Sequence, residues 1–262
     1  MMFVGSAQPQ QQLAAADERA APHGATLPGD PAGTLRDYAG WSTDALLRDL
    51  LCRAFPGRIA LVSSFGPESA VLLHLVAGID PGTPVVFVDT GKLFPETLAY
   101  RDALVRRLGL AAVRAVGPSA SLITQVDPSG TLWRDEPDVC CWHRKVEPLD
   151  AALTGFDAWI TGRKRFQGGL RQQLPVIEQE PDGRVKVNPL ATWSAADLAE
   201  YRTLHSLPAH PLEAQGYRSV GCVPCTRPVA AGEDQRAGRW AGQAKTECGI
   251  HLPRPAPAGP RS

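Results

Sequence analysis

Two pairs of closely spaced cysteines carry the most distinctive chemistry in this 262-residue sequence. Cys140 and Cys141 are adjacent, and Cys222 lies far downstream with Cys225 three positions after it. Four thiolates in two close pairs can surround one metal centre. The spacing leaves two kinds of centre open, a structural zinc ion or an iron–sulfur cluster, and adjacent cysteines are unusual for zinc.

Cations and a predicted helix accompany the first pair. Arg144 and Lys145 follow the two thiols closely, and nearby cations favour the deprotonated thiolates that bind metals. Asp138 is suited to be the N-cap of a helix whose first turn would contain both thiols and whose dipole would add positive potential there. Apolar residues then share one face of this helix, at Val146, Leu149 and Leu153.

Buried strands alternate with helices over most of the remaining chain. Apolar runs predict strands at residues 59–63, 85–88, 112–116 and 158–162. Helical patterns with start signals predict helices over residues 42–55 and from residues 67 and 95 onward. A hairpin is expected at 174–178 and 184–188, and a capping box at 194–197 begins a further helix. Cys52 lies on the first helix, where we expect a buried small hydrophobe.

This alternation predicts an α/β fold with a doubly wound, mostly parallel sheet and a loop-rich C-terminal segment. In such sheets, ligands bind beyond the carboxyl ends of the strands. Three polar turns follow predicted strands, at residues 63–69, 89–92 and 162–171. The first could cradle a phosphate at a helix N-terminus but lacks the Gly-Lys-Ser/Thr ending of a Walker A loop. The third contains four cations and could bind an anion, although a solvated basic loop would look the same.

Composition narrows the class of protein. Lys plus Arg and Asp plus Glu number 27 each, so the net charge gives no reason to expect nucleic-acid binding. No apolar run is long enough to span a membrane, and the first residues lack the features of a secretory signal. We therefore expect a cytoplasmic protein whose cysteines serve metal or redox chemistry rather than disulfides.

Four regions are predicted along the chain. Residues 1–34 are rich in Ala, Gln, Gly and Pro and are expected to form a disordered arm, as is a Pro-rich tail at 253–262. Between them we expect an α/β nucleotide-binding domain at 35–215. A C-terminal segment at 216–252 would carry the second cysteine pair and a further cysteine.

Five motifs in a fixed order resemble the sulfonucleotide reductases of the adenine nucleotide α-hydrolase-like superfamily. They lie at residues 63–69, 88–97, 140–149, 222–225 and 247–251. The resemblance covers about residues 42–251. It implies reduction of adenylyl sulfate to sulfite and AMP in sulfate assimilation and cysteine biosynthesis, with thioredoxin or glutaredoxin as electron donor.

The resemblance also implies roles for the cysteines. Cys140, Cys141, Cys222 and Cys225 would hold a [4Fe–4S] cluster, a set that is typical of the adenylyl-sulfate branch. Cys248, which stands apart from both pairs, would be the nucleophile that takes the sulfonate. Trp142 and His143 depart from the usual smaller residues, and we expect His143 to pack at the surface.

Further residues are candidates for substrate binding. By resemblance, the phosphosulfate is gripped by four groups: Lys145, Arg236, Arg239 and His251. Arg236 and Arg239 are three positions apart, so one helical turn would place them on the same side. Nucleotide contacts are expected from Ser63, Ser64, Gly66, Asp89 and Thr90, and anion contacts from Arg163 and Arg165 in the basic turn.

Three alternatives stay open. One is a phosphoadenylyl-sulfate reductase. Another is a relative that cleaves ATP between the α- and β-phosphates and carries a structural zinc, although Pro67 and Glu68 replace the lysine and aspartate of that loop. The third is a zinc-stapled binding module without catalysis. The sequence is compatible with a homo-oligomer.

Overall fold

The computed structural model describes residues 37–252. The chain divides into two compact units, Met1–Ser42 and Thr43–Ser262. In the first unit, the described residues are 37–42, which include a turn. The arm expected at 1–34 and the tail expected at 253–262 lie outside the described residues.

A six-stranded sheet forms the centre of the second unit. Its strands are β1 Ile59–Val62, β2 Val85–Val88, β3 Val113–Val116, β4 Ala158–Ile160, β5 Ile177–Gln179 and β6 Val185–Val187. Their order is β3-β2-β1-β4-β6-β5, and only β5 runs antiparallel to its neighbour. The strand order reverses between β1 and β4, which is where doubly wound sheets open a ligand crevice. The doubly wound, mostly parallel sheet predicted from the sequence is therefore confirmed.

Helices and short turns connect the strands. The α-helices are α1 Thr43–Asp49, α2 Ser69–Ile79, α3 Pro95–Leu108, α4 Ala120–Val126, α5 Leu132–Asp135, α6 Pro137–Cys141, α7 Glu147–Leu153 and α8 Ala195–Leu204. π-Helical turns at Leu50–Ala54 and Trp142–Val146 extend α1 and join α6 to α7. Beyond α8, the described chain contains two 3₁₀ turns, at Pro211–Gln215 and Val223–Cys225. No helix within residues 37–252 is long and apolar enough to cross a membrane.

Both faces of the sheet are buried at its central strands. Successive side chains of a strand point to opposite faces, so Ala60, Val86 and Trp159 share one face. They form a core cluster with residues of α7, among them Leu149 and Leu153. On the other face, Leu61, Phe87 and Ile160 are equally buried. The polar residues that follow the strands are therefore held by a rigid layer.

The structure corrects three local expectations. Cys52 is exposed rather than buried, because the leucines at 46, 47, 50 and 51 already cover the inner side of this helical segment. Asp138 is not an N-cap, because Pro137 takes the first position of α6 and Glu136 precedes it. Both thiols consequently stand at the end of α6 rather than in its first turn, and α2 begins at Ser69, two residues later than expected.

Candidate functional site

A cavity of about 230 Å³ opens at the carboxyl ends of β1, β2 and β4. Its walls include the turn that follows β1, the ends of β2 and β4, and loops from the C-terminal part of the chain. Fourteen of the sixteen predicted site residues are found here or in the adjoining thiol cavity, and Asp89 and Arg165 are not. The crevice expected from the sheet topology is thus the place where the predicted chemistry converges.

The turn between β1 and α2 provides one wall, with Ser63, Ser64 and Gly66 facing the cavity. Phe65 adopts a left-handed backbone conformation with φ +48°, which is uncommon for a residue other than glycine. Its backbone N–H donates to Ser63 Oγ at 3.2 Å, and its ring packs edge-to-face on Phe87. Backbone strain of this kind is held by its surroundings and is frequent at binding sites.

Cys248 lines the same cavity and is half-buried. It packs against the apolar cluster formed by Cys222, Cys225 and Trp240. Two positions later, Ile250 packs into the core cluster beneath α7. The segment that carries this fifth thiol is therefore docked against the fold, with its sulfur at the cavity wall.

His251 completes this segment and also lines the cavity. Its ring stacks on Trp159 of β4, with centroids 5.9 Å apart and planes 8° from parallel. Burial, together with the positive charges of Arg163 and Lys186, holds the pKa of His251 well below its usual range. Its Nδ1 has no hydrogen-bond partner among residues 37–252. The imidazole is therefore neutral at pH 7 and keeps one nitrogen available.

Arg236 and Arg239 both face the cavity, although the residues between them form a turn and not the expected helix. Arg236 Nη2 donates to the Thr246 carbonyl at 2.9 Å, and burial lowers the pKa of Arg236 to about 10. Arg239 lies over the ring of Trp240 and donates to the Val220 carbonyl at 3.2 Å. Within the described part of the chain, no carboxylate pairs with Arg239 or with Lys145. These two cations are available to an anion.

The basic turn after β4 is neutralised by carboxylates. Arg163 pairs with Glu178, and its Nε donates to Asn188 Oδ1 at 3.2 Å. Lys164 Nζ pairs with Glu68 in the same manner. Arg163 reaches the cavity wall, but its charge is already balanced.

Arg165 points away from the cavity and donates to the Leu174 carbonyl at 2.8 Å. Three further cations line the cavity without having been singled out as binding residues: Lys164, Arg171 and Arg218. The first two belong to the predicted basic turn, whereas no sequence signal marks Arg218.

The loop after β2, from which nucleotide contacts were expected, also contacts the second cysteine pair. Thr90 Oγ1 lies 3.3 Å from Cys222 Sγ, and Leu93 forms a β-bridge with Cys222. Asp89 does not line the cavity; its Oδ1 accepts the Gly91 backbone N–H at 2.9 Å. Arg144 holds this loop by donating to the Thr90 carbonyl at 2.8 Å.

Arg144 is itself held in place by a carboxylate. Its Nη2 forms a buried ion pair with Asp127 Oδ2 at 2.8 Å. His143 occupies the expected surface position, with Nδ1 3.2 Å from Glu147 Oε2.

The four paired cysteines line a second, narrow cavity next to the first. All four are buried, and Lys145 borders both cavities. Burial raises the pKa of the Cys141 thiol to about 11. Burial also opposes ionisation of Cys222, but Lys145 and the Thr90 hydroxyl outweigh it and lower the pKa of Cys222.

Among the four thiols, Cys222 is thus the one whose ionised form is favoured, because the buried ammonium group of Lys145 attracts it. Among the described residues, no group of three or more His, Cys, Asp or Glu side chains is arranged around a single metal ion. The indole Nε1 of Trp240, which packs against Cys222 and Cys225, is buried and has no partner within residues 37–252.

Known proteins resemble this chain over most of its length. The profile of the phosphoadenosine phosphosulfate reductase domain matches residues 58–228. An adenosine 5'-phosphosulfate reductase of Mesorhizobium japonicum is 54% identical over 198 residues, which cover 76% of this chain and 78% of the relative. A phosphoadenosine 5'-phosphosulfate reductase of Gloeobacter violaceus is 42% identical over 82% of this chain and 91% of its own length. The crystal structure of a Candida auris phosphoadenylyl-sulfate reductase in a phosphate complex aligns with a TM-score of 0.62 at 27% identity, over 73% of this chain and 93% of that one.

Proposed function

Because the chain belongs to the phosphoadenosine phosphosulfate reductase family, we propose that it reduces adenylyl sulfate to sulfite and AMP. Relatives that carry the name adenosine 5'-phosphosulfate reductase are 54% and 53% identical to it. The reaction belongs to sulfate assimilation and leads toward cysteine biosynthesis. Thioredoxin, or glutaredoxin in its place, supplies the two electrons.

One observation carries this proposal. A thiol that belongs to neither cysteine pair faces a cavity at the sheet switch point, and uncompensated cations border the same cavity. Cys248 is that thiol, and Lys145 and Arg239 are those cations. A nucleotide sulfate is a doubly anionic, sulfur-centred electrophile, which is the substrate that such a cavity suits.

In the first step, the Cys248 thiolate attacks the sulfate sulfur. A sulfur–sulfur bond forms, the bond from sulfur to the bridging phosphate oxygen breaks, and AMP leaves with the electron pair. Lys145 and Arg239 stabilise the negative charge that shifts to the phosphate. The neutral His251, beside them, donates or accepts one hydrogen bond without adding charge.

In the second step, a thiolate of reduced thioredoxin attacks the Cys248 sulfur. The bond to the sulfonate breaks and sulfite leaves, so that a mixed disulfide remains. The second thiol of thioredoxin resolves this disulfide and regenerates Cys248. One dithiol is oxidised to one disulfide, which balances the two-electron reduction of the sulfate sulfur.

The four paired cysteines suit a [4Fe–4S] cluster. They line one cavity, cations at Arg144 and Lys145 border it, and the Trp240 N–H is a buried donor without a protein acceptor. A negatively charged group with sulfur acceptors matches this donor set. When bound, the cluster would supply fixed structure and charge to the site, while Cys248 and thioredoxin carry the covalent chemistry.

Substrate choice has a second candidate. The Gloeobacter violaceus relative is named for the 3′-phosphorylated nucleotide, and such relatives are 42% identical or slightly more. The four-cysteine set and the higher identity of two relatives named for adenylyl sulfate, at 54% and 53%, favour the unphosphorylated substrate. Steady-state kinetics with both nucleotides should give the larger kcat/KM for adenylyl sulfate, and a strong preference for the other would reverse this choice.

A third activity, ATP cleavage, has weaker support. Pro67 and Glu68 stand where that loop has a lysine and an aspartate, and Glu68 is itself paired with Lys164. The wall that would face the ATP phosphates consequently lacks the neutralising lysine.

The test uses Cys248→Ser in anaerobically purified protein. The variant should keep four iron atoms and four sulfides per chain, which is the content of one [4Fe–4S] cluster, and should still bind adenylyl sulfate. It should lose nearly all turnover, because a hydroxyl is a far poorer nucleophile than a thiolate at pH 7. Wild-type protein mixed with adenylyl sulfate alone should gain one sulfonate on the peptide that contains Cys248. Near-normal sulfite release from the variant, or a sulfonate on another cysteine, would refute the mechanism.

A further inference from the structure

A buried ion pair joins the basic turn after β4 to the residue that precedes the reactive thiol. Arg171 Nε donates to Glu247 Oε1 at 2.6 Å, and Arg171 Nη2 donates to Glu247 Oε2 at 2.9 Å. Both side chains are about nine-tenths buried, with exposed fractions of 10% and 9%. This bidentate geometry is the strongest form of an arginine–carboxylate contact.

The donors of Arg171 are largely used by protein atoms. Besides the two contacts with Glu247, its Nη1 donates to Gln167 Oε1 at 2.5 Å. The Nε–Nη2 edge of the guanidinium is thus occupied, and only part of the donor capacity of Arg171 remains for a phosphate or sulfate. Although Arg171 lines the cavity, it is therefore poorly suited to grip the substrate.

A second cation, Arg236, also lies close to Glu247. Arg236 Nη2 lies 3.5 Å from Glu247 Oε1 and also donates to the carbonyl of Thr246. Burial opposes ionisation of this carboxyl, but the hydrogen bonds and charges of the arginines keep the pKa of Glu247 below its usual range. The carboxylate is thus held from two sides, directly beside Cys248.

We propose that Arg171 is a positioning residue, which fixes the Cys248 sulfur at the cavity through its bidentate pair with Glu247. Ile250 and His251 anchor the far end of residues 246–251 in the core and on Trp159. The Arg171–Glu247 pair anchors the near end. Between these two anchors, Cys248 and Gly249 have little freedom to leave the cavity wall.

The role assigned to Arg171 rests on the proposed function only for its kinetic consequences, because accessibility of the thiol can be measured without any substrate. Glu247→Gln is isosteric and removes the charge, Arg171→Lys keeps the charge and loses the bidentate contact, and Arg171→Gln removes both. A matched control is Glu233→Gln, which is also isosteric and breaks the exposed pair between Glu233 and Arg227 in the same C-terminal segment.

The measurement is the rate at which iodoacetamide alkylates Cys248 in the cluster-containing protein, resolved by peptide mass spectrometry. Cys52 is exposed and lies outside the cavity, so its alkylation in the same sample serves as an internal reference. Because loss of a buried pair favours local opening, Glu247→Gln and Arg171→Gln should raise the Cys248 rate at least about tenfold relative to Cys52. Arg171→Lys should give a smaller increase, and Glu233→Gln should give none.

Kinetics provide the second readout. A positioning role predicts that kcat falls about tenfold or more in Glu247→Gln while KM for adenylyl sulfate stays within about threefold, because misplacement of the nucleophile affects the transition state and not substrate binding. An unchanged Cys248 alkylation rate would overturn the positioning role, as would a raised KM with unchanged kcat. If wild-type protein forms no S-sulfonate, the proposed function fails, while the alkylation rates still decide whether Arg171 holds the thiol in place. Arg171→Lys preserves the test if the glutamine variants do not fold.

Discussion

Replacement of Glu178 by Gln should remove the charge that balances Arg163 and leave the guanidinium unpaired in a buried position. The Arg163 side chain is only 8% exposed, while Glu178 is 27% exposed. Burial already lowers the pKa of Arg163 despite the attraction of Glu178, so the cation depends on its partner. Breaking a buried pair costs about 3–5 kcal/mol, and partial exposure of Glu178 reduces the expected loss to about 2–3 kcal/mol. The amide still accepts the hydrogen bond that Asn188 Nδ2 makes with Glu178 at 2.6 Å, so the change isolates the charge.

The assay is anaerobic thermal unfolding at pH 7, with variant and parent matched in iron content. A loss of that size corresponds to a fall in Tm of roughly 5–10 °C for a domain of this length. The isosteric control is Glu233→Gln, which breaks the exposed pair with Arg227 and should leave Tm within the scatter of repeat measurements. If Arg163 instead gripped the substrate, as its position in the sequence suggested, Glu178→Gln would free it, lower KM for adenylyl sulfate and leave Tm unchanged. That result would refute the structural role.

Three further changes have defined outcomes. In Gly221→Ala, the new Cβ would clash with Arg239 Nη2, so the guanidinium must move. KM for adenylyl sulfate should then rise roughly tenfold or more with little change in Tm. An unchanged KM would argue against Arg239 as a substrate contact. Burial lowers the pKa of Lys186 from 10.5 to about 8, with Arg163 adding to the decrease and the carboxylates of Glu178 and Glu180 opposing it. The folded state then binds fewer protons than the unfolded state between about pH 8 and 10.5, so the free energy of unfolding should rise with pH in that window. Lys186→Met should raise Tm at pH 7 and abolish this increase of stability with pH. Cys52→Ser should leave Tm and turnover unchanged and remove one rapidly alkylated thiol, whereas a fall in Tm would mean that Cys52 is buried.

Periodicity was sufficient to predict the elements of the sheet. Apolar runs identified the central strands because strands that are buried on both faces have few polar residues, and the hairpin was recognisable from its turn. Start signals were less reliable. Pro137 and Asp138 are both acceptable at a helix start, and the structure uses the proline at the first position, which shifts the thiols to the end of α6. Burial of Cys52 was wrong because a hydrophobic side chain type does not reveal which side of a helix it occupies.

The site was predictable where residues of one type occur in close pairs, as with the four cysteines that the structure brings to one cavity. It was not predictable where function depends on pairing between distant segments. Arg163 reads as a free cation in the basic turn, but the sheet order places it near Glu178, which lies on the antiparallel edge strand. Arg171 is similarly taken by Glu247, which lies far along the chain. Such pairings follow from strand order and loop packing, and neither is encoded in local spacing.

The late position of residues 246–251 in the chain has a consequence for biosynthesis. All six strands are complete at Val187, whereas Cys222, Cys225 and Cys248 follow later. Chains fold from the N-terminal side as they are synthesised, so the sheet, the turn after β1 and the basic turn can assemble while these thiols are still in or near the ribosome. When Glu247 emerges, Arg171 is already in place to receive it, and Cys248 docks directly against a finished wall. Cys248 is therefore part of an unfolded segment for only a short time after it leaves the ribosome.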